Sequence, residues 1–412
     1  MPRSREAGAI PNDGGSTARH AGLDWIRGLG AVAVVVLHAG IPYLTAPMPG
    51  LAWPIRHPAP DAAINAVFWA IEACVMPLFL MLSGYVSWRS LSHRGERKFL
   101  RQRVDRILYP LLAAACILLP VELYLWMLGW VGEGQLSWKD LRDIRLGSLK
   151  QNLWGLSHLW YLQYIFLYSL LLAAGVWGLR RRPAQAASGR RSAQWPTPNL
   201  RRLAIPSIVA GIAAVLCWDP GVVLGFQHSF VPVPAKFAYS GLFFAWGVLE
   251  AVRPDEQPRG RRRNPLVWLG AAALLFPTYL LLADGQMGGQ PPWVATPLLT
   301  AMCVTLTFGL WSICERLKGA PPAWARYLAG ASFWVYLVHH PLVPLCQLGF
   351  RETGWPAQIQ FALAIVVTLY LALASYEVAV RRTVIGSFLG GRETRETAVI
   401  AQFKPQPLGH AA

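Results

Sequence analysis

LDWIRGLGAVAVVVLHAG (residues 23–40) is apolar enough to enter a bilayer, yet it carries Arg27 near one end and His38 near the other. The ten residues between them are all Gly, Ala, Val or Leu. On a helix, eleven residues at about 100° each return to within roughly 20° of three full turns, so the two side chains share a face, roughly 16 Å apart along the axis. Asp24, three residues before Arg27, falls one turn below on nearly the same face. Gly28, Gly30, Ala31 and Ala33 leave space for neighbouring helices to approach closely.

The rest of the chain repeats this apolar pattern. Its 412 residues are 54% hydrophobic and 14% charged, where a soluble chain carries roughly a quarter charged. Runs long enough to cross a hydrocarbon core recur near 23–44, 64–87, 107–130, 158–179, 203–218, 235–252, 265–283, 294–314, 330–350 and 357–379. These predict an all-α, polytopic transmembrane helical bundle of about ten spans. The formal charge of +17 raises the question of nucleic acid, but the basic residues fall in alternate loops. WRSLSHRGERKFLRQRVDR (88–106), RRRPAQAASGRRSAQWPTPNLRR (180–202) and RPDEQPRGRRR (253–263) are rich in Arg, while 219–234 and 284–293 contain neither Lys nor Arg. Positive charge marks the cytoplasmic face, so both termini are expected inside, and the excess charge reflects topology with no nucleic-acid partner. Segment 131–157 carries mixed charge.

Residues 1–22 are polar and Gly-rich, with no short apolar core ending in a small-residue cleavage site. They read as a disordered cytoplasmic tail before a retained first span. Residues 23–390 form one integral-membrane domain, and 391–412 read as a second disordered cytoplasmic tail. The six cysteines at 74, 116, 217, 303, 314 and 346 stand singly in apolar runs, which suggests neither a zinc site nor a disulfide scaffold. No resident cofactor or metal is expected.

Several ionisable groups fall inside these spans, where they are costly and usually face a cavity or pathway. His38 is one, and an imidazole works as a general base near neutral pH. Arg27 reads equally as a snorkelling side chain. Glu72 is the deepest acid; Glu122 and Glu377 read as structural partners for an Arg or His. MPLFLMLSGYVSW (76–88) ends in Ser83-Gly84, which reads alone as a packing notch. FLRQRVDRILYP (99–110) puts Arg103 and Arg106 three apart on one helical face. A guanidinium pair beside Ser83-Gly84 matches phosphate bidentately. SHLWYLQYIFLYSLL (157–171) opens with His158 and Trp160, read either as an aromatic belt or as a shelf for a sugar. In ASFWVYLVHHPLVPL (331–345), adjacent residues point about 100° apart. One of His339 and His340 is therefore expected to face the site, while the other bonds a neighbouring helix; Pro341 bends the span. No internal repeat is visible, which disfavours a secondary transporter.

Arg27, ten residues, then His38 in the first span resembles the signature of the integral-membrane acyltransferase family 3. MPLFLMLSGY is similar to that family's second-span motif, with Leu80 where a second Phe often follows Phe79, and RVDRILYP to its Arg-x-x-Arg cytoplasmic loop. SHLWYL, ASFWVYLVHHPL and YEVAVRRTVIGSFLGG look like the subgroup that succinylates osmoregulated periplasmic glucans. The resemblance implies a multi-pass protein of the bacterial inner membrane that moves an acyl group, succinyl or acetyl, from a cytoplasmic acyl-CoA to a hydroxyl of an extracytoplasmic glucan or other carbohydrate. It makes Arg27 and His38 the essential pair, and Arg103 with Arg106 the cytoplasmic Arg pair. Glu72 joins His38 and Arg27 as catalytic candidate. Ser83 and Gly84 join the donor-binding arginines, and His158, Trp160, His339 and His340 are acceptor-binding candidates. A transporter or flippase for a sugar or lipid, and a non-catalytic partner in envelope glucan synthesis, are the competing expectations.

Overall fold

Helix α1 (Gly14–Gly40) is continuous. In the computed structural model, which describes residues 14–147, 149, 155–180, 198–227, 229–252, 264–286, 292–317, 319–381, 383 and 386, every regular element is helical. The chain continues through α2 (Ala62–Glu72), α3 (Val75–Arg94), α4 (Glu96–Arg103), α5 (Tyr109–Gly132), α6 (Trp138–Asp143), α7 (Trp160–Arg180), α8 (Pro198–Trp218), α9 (Gly221–Leu224), α10 (Pro234–Ala251), α11 (Pro265–Ala283), α12 (Pro292–Arg316), α13 (Ala323–Phe350) and α14 (Ala357–Ser375). Among the described residues, seven helical segments are long and apolar enough to cross a membrane: 22–43, 62–94, 96–132, 157–179, 265–283, 293–316 and 357–380. A shorter apolar helix spans Leu203–Trp218. Large apolar side chains such as Ile117, Leu274 and Val366 lie exposed on the outside of the bundle, as lipid-facing residues do in a membrane protein.

α1 starts at Gly14 rather than Leu23, so residues 14–22, read as part of a disordered tail, are helical. Residues 1–13 of the first expected tail, all of the second (391–412) and 387–390 before it lie outside the described residues. So do 181–197, 253–263 and 287–291, which carry much of the charge asymmetry. All six cysteines are free thiols.

The second apolar run, read as one span, is broken at Ala73–Cys74. Pro77 explains the break. It has no N–H and its ring opposes the carbonyl four residues earlier, so it sits most easily in a helix's first turn, where α3 restarts at Val75. Glu72 thereby ends α2. A five-residue π-helical turn, Val104–Leu108, joins α4 to α5 just before Pro110 and contains Arg106. Such wide turns occur often at functional sites.

Close backbone approaches set the bundle. Gly28 of α1 sits against α13, where a Cβ would lie 3.2 Å from Leu328 Cβ and 3.3 Å from the Ala329 nitrogen. Ala31, Val35 and Ala39 bury against Ala331, Val335 and Val343. Gly30 faces the Phe79 ring, and Gly40 faces Ile64 and Phe68, so α1 runs antiparallel to α2–α3. Gly84 of α3 and Gly247 of α10 cross so closely that a Cβ on either would strike a backbone carbonyl, of Phe244 and Met81 respectively. These contacts hold α1, α3, α10 and α13 around one cavity.

Gly84→Val forces that crossing apart. Overpacking of this kind costs about 1–3 kcal/mol, so the detergent-solubilised variant should melt well below the parent in a thermal unfolding assay. Gly175→Ala, whose Cβ would meet nothing within 4 Å, should melt with the parent.

Candidate active site

The sequence His339-His340-Pro341 builds the centre of the site. Pro341 has no N–H to give the Leu337 carbonyl four residues back, and the helix leaves that carbonyl open. His158 fills it: its Nε2 approaches the Leu337 oxygen at 3.1 Å. His158 sits in a tight turn, Ser157–Leu159, ahead of α7. Tyr336 fastens the same turn by donating its hydroxyl to the His158 carbonyl at 2.6 Å. Ser157 adopts φ 50°, a left-handed conformation uncommon outside Gly, and its hydroxyl donates to the Glu122 carboxylate.

Hydrogen bonds to backbone carbonyls assign the tautomers, because only an N–H can donate to them. His38 Nδ1 lies 2.8 Å from the Val34 oxygen, one helical turn below. The proton is therefore on Nδ1, and Nε2 is left as an acceptor. His339 Nδ1 lies 2.8 Å from the Tyr336 oxygen, and its buried Nε2 has no partner. The His38 ring centroid is 4.9 Å from that of His339 and 4.8 Å from that of His340. His158 stacks on His340 at 4.6 Å with 9° between planes, and Trp126 and Trp53 flank His340 at 5.9 and 5.5 Å.

Glu122 of α5 lies beneath this stack. Its oxygens are 3.1 Å from His340 Nδ1 and 3.5 Å from His158 Nδ1. Glu122, His158 and His340 also form the one group of three metal-ligating side chains found among the described residues. Parallel stacked rings, however, aim their Nδ1 atoms side by side, whereas a shared ion must lie close to both ring planes. The carboxylate is the partner this geometry favours: it can accept from His340 Nδ1, and from His158 Nδ1 when that ring, which already donates through Nε2, carries a second proton.

Away from the histidines, the same cavity, about 490 Å³, is lined by Arg27, Arg103, Arg106, Ser83 and Tyr161. Arg27 pairs with Asp24 at 3.9 Å, as their spacing predicts. The Arg103 guanidinium lies 4.8 Å from the Phe99 ring centroid. Ser83 Oγ and Tyr161 OH are 2.7 Å apart, and Tyr161 feels the charge of both Arg103 and Arg27. One cavity thus has guanidiniums at one end and imidazoles at the other.

Of the eleven site candidates in the sequence, ten line this cavity: Arg27, His38, Glu72, Ser83, Arg103, Arg106, His158, Trp160, His339 and His340. Gly84 is not among the lining residues; its missing side chain serves the α3–α10 crossing. The expectation that only one of His339 and His340 faces the site is corrected. Both do, because His38 of α1 and His158 of the turn ahead of α7 each pack against both rings. Trp160 lines the cavity, but Lys236 Nζ lies 3.9 Å from its ring centroid, so a cation rather than a sugar covers that face. Lys236 itself escaped the sequence reading. Its signal was a lone charge two residues after Pro234 in an apolar run.

An acyltransferase domain matches residues 20–377. The chain belongs to the acyltransferase 3 family. It is 25% identical over 384 residues to glucans biosynthesis protein C of Salmonella schwarzengrund, covering 90% of this chain and 94% of that one. It is also 25% identical over 394 residues to the protein of that name from Salmonella typhimurium, covering 91% and 97%. No solved structure matches. Membership makes the chain an acyltransferase, with an acyl donor, an acceptor and a bilayer as its general partners, and displaces the transporter and non-catalytic alternatives.

In this acyltransferase, Glu122→Ala removes the shared partner of two buried rings and of the Ser157 hydroxyl. Deleting one member of a buried ionic cluster costs about 3–5 kcal/mol, so the variant should show a large drop in melting temperature. Glu122→Gln keeps an acceptor for Ser157 and should fall between Ala and the parent.

Proposed function

We propose that the protein is an O-acyltransferase of the bacterial inner membrane that carries succinyl or acetyl from a cytoplasmic acyl-CoA to a hydroxyl of an extracytoplasmic glucan or other carbohydrate. One observation supports this above the rest. A single cavity joins three arginines to a histidine whose Nε2 is left as an acceptor. Guanidiniums suit the phosphates of a CoA, and a neutral imidazole suits removal of a hydroxyl proton. The glucan assignment rests on the names of the Salmonella relatives and on the motifs shared with their subgroup.

In the proposed reaction, Arg27, Arg103 and Arg106 hold the donor so that its thioester reaches His38. The acceptor hydroxyl gives its proton to His38 Nε2 while its oxygen bonds to the thioester carbon. The tetrahedral adduct then breaks its C–S bond, and the departing thiolate recovers the proton from His38. An intermediate acyl-enzyme splits the same changes into two steps. Glu72 lines the cavity and is suited to hydrogen-bond an incoming hydroxyl.

The proposal includes a topology of ten spans with both termini cytoplasmic, so that Arg27 faces the cytoplasm and His38 lies some three turns further out. The acyl group then meets the acceptor without either substrate crossing whole.

His38→Ala should leave the protein inserted and folded and lower acyl transfer by about 10²–10⁴-fold; mass spectrometry of envelope glucans measures it, and near-normal acylation sinks the assignment. Arg103→Ala and Arg106→Ala should weaken CoA binding while acceptor affinity holds, with Lys restoring part of the loss. Isothermal titration with CoA reads this directly. Single cysteines placed in 253–263 should resist an impermeant thiol reagent in intact cells, and those in 284–293 should react; the reverse pattern puts His38 on the wrong side for an extracytoplasmic acceptor.

A further inference from the structure

Lys236 is the one basic residue of α10, and nothing in the proposed reaction uses it. It lines the same cavity as His38 and Glu72. Glu72, just ahead of α3, feels its charge, and further along Gly84 of α3 meets the Phe244–Val248 stretch of α10. The two helices therefore run parallel. Lys236 lies eleven residues before Gly247, roughly 16 Å along the bundle from that crossing at about 1.5 Å per residue. This is the histidine end, opposite the arginines beside Ser83.

The ammonium is poorly satisfied there. It has three N–H bonds, and its one hydrogen bond among the described residues is long, 3.4 Å to the Gln227 carbonyl. The Trp160 face at 3.9 Å adds a cation–π contact. Glu72 acts only through space: no carboxylate among the described residues reaches ion-pairing distance of Nζ. A cation at membrane depth is costly, and such groups pair or serve a substrate.

We infer that Lys236 is a specificity-determining residue that recognises a negatively charged group, of carboxylate class, on the substrate held at the histidine end. The inference rests on the acyl-transfer reading above. An acyl group is the tip of its carrier, so a donor bound by its phosphates at the arginine end sends the far end of the acyl chain towards Lys236. A dicarboxylic acyl group places its free carboxylate there; an anionic substituent on the acceptor is the other source of the same charge. Lys236 forms and breaks no covalent bond in the transfer.

The test uses the full-length protein in detergent or liposomes, with succinyl-CoA and butyryl-CoA as donors of equal chain length that differ in charge. Neutral and carboxylated β-glucan oligosaccharides serve as acceptors. Lys236→Met should lower the succinyl-to-butyryl ratio of kcat/KM by about 10- to 100-fold, the scale of one charge-assisted hydrogen bond, and Lys236→Arg should restore part of it. A drop in the carboxylated-to-neutral acceptor ratio instead supports anion recognition and assigns the charge to the acceptor. Both ratios unchanged overturn the inference. If the parent releases no CoA from either thioester in a His38-dependent way, the acyl-transfer reading fails, and binding decides Lys236 separately. A larger thermal shift with succinyl-CoA than with butyryl-CoA that Lys236→Met abolishes supports it, and equal shifts in the parent overturn it.

Discussion

Glu122 holds the site together. Its carboxylate is shared by His158, His340 and the Ser157 hydroxyl, and these belong to α13 and to the turn ahead of α7. A buried carboxylate tolerates its surroundings only when its oxygens have partners, so the elements that supply them are tied to its position on α5. Of the stacked pair, His340 meets His38, ring to ring, at 4.8 Å. Pro341 acts in the same direction by leaving the Leu337 carbonyl open for His158. Two defects in regular helical bonding, a proline inside α13 and a left-handed Ser157, thus aim four histidine rings at one another.

The opposite end of the cavity obeys a different constraint. Arg27, Arg103 and Arg106 come from α1, α4 and the wide turn before α5, and like charges so placed repel unless an anion joins them. Close helix crossings, at Gly28 with α13 and Gly84 with α10, keep the two ends in register. Glycine at these crossings serves backbone approach rather than chemistry, which is why Gly84 reads as part of a motif and acts as part of the frame.

Much of this was legible in the chain because it is local. Arg27, Asp24 and His38 lie on one helix, and helical periodicity alone puts them on one face. The small residues of α1 likewise announce its tight packing. The Glu122–His158–His340 cluster was not legible, since it joins residues 36 and 182 positions apart in sequence that no spacing rule connects. The same holds for the paired service of His339 and His340: their 100° offset is real, but partners from α1 and from the turn ahead of α7 meet both rings. The break beside Glu72 carried a signal in Pro77 that hydropathy overrode. Lys236 was hidden by the reverse effect, a single charge averaged away in an apolar window.

The placement of Arg27 and His38 on one unbroken helix has a consequence for how this site can vary over evolutionary time. One residue inserted between them would swing His38 by about 100° around the axis and out of the cavity. Only insertions or deletions of three or four residues bring it back, and these displace it by a full turn, about 5.4 Å, away from the rings of His339 and His340. The interval is therefore quantised. Its length can drift only if α5, the turn ahead of α7 and α13 move with it.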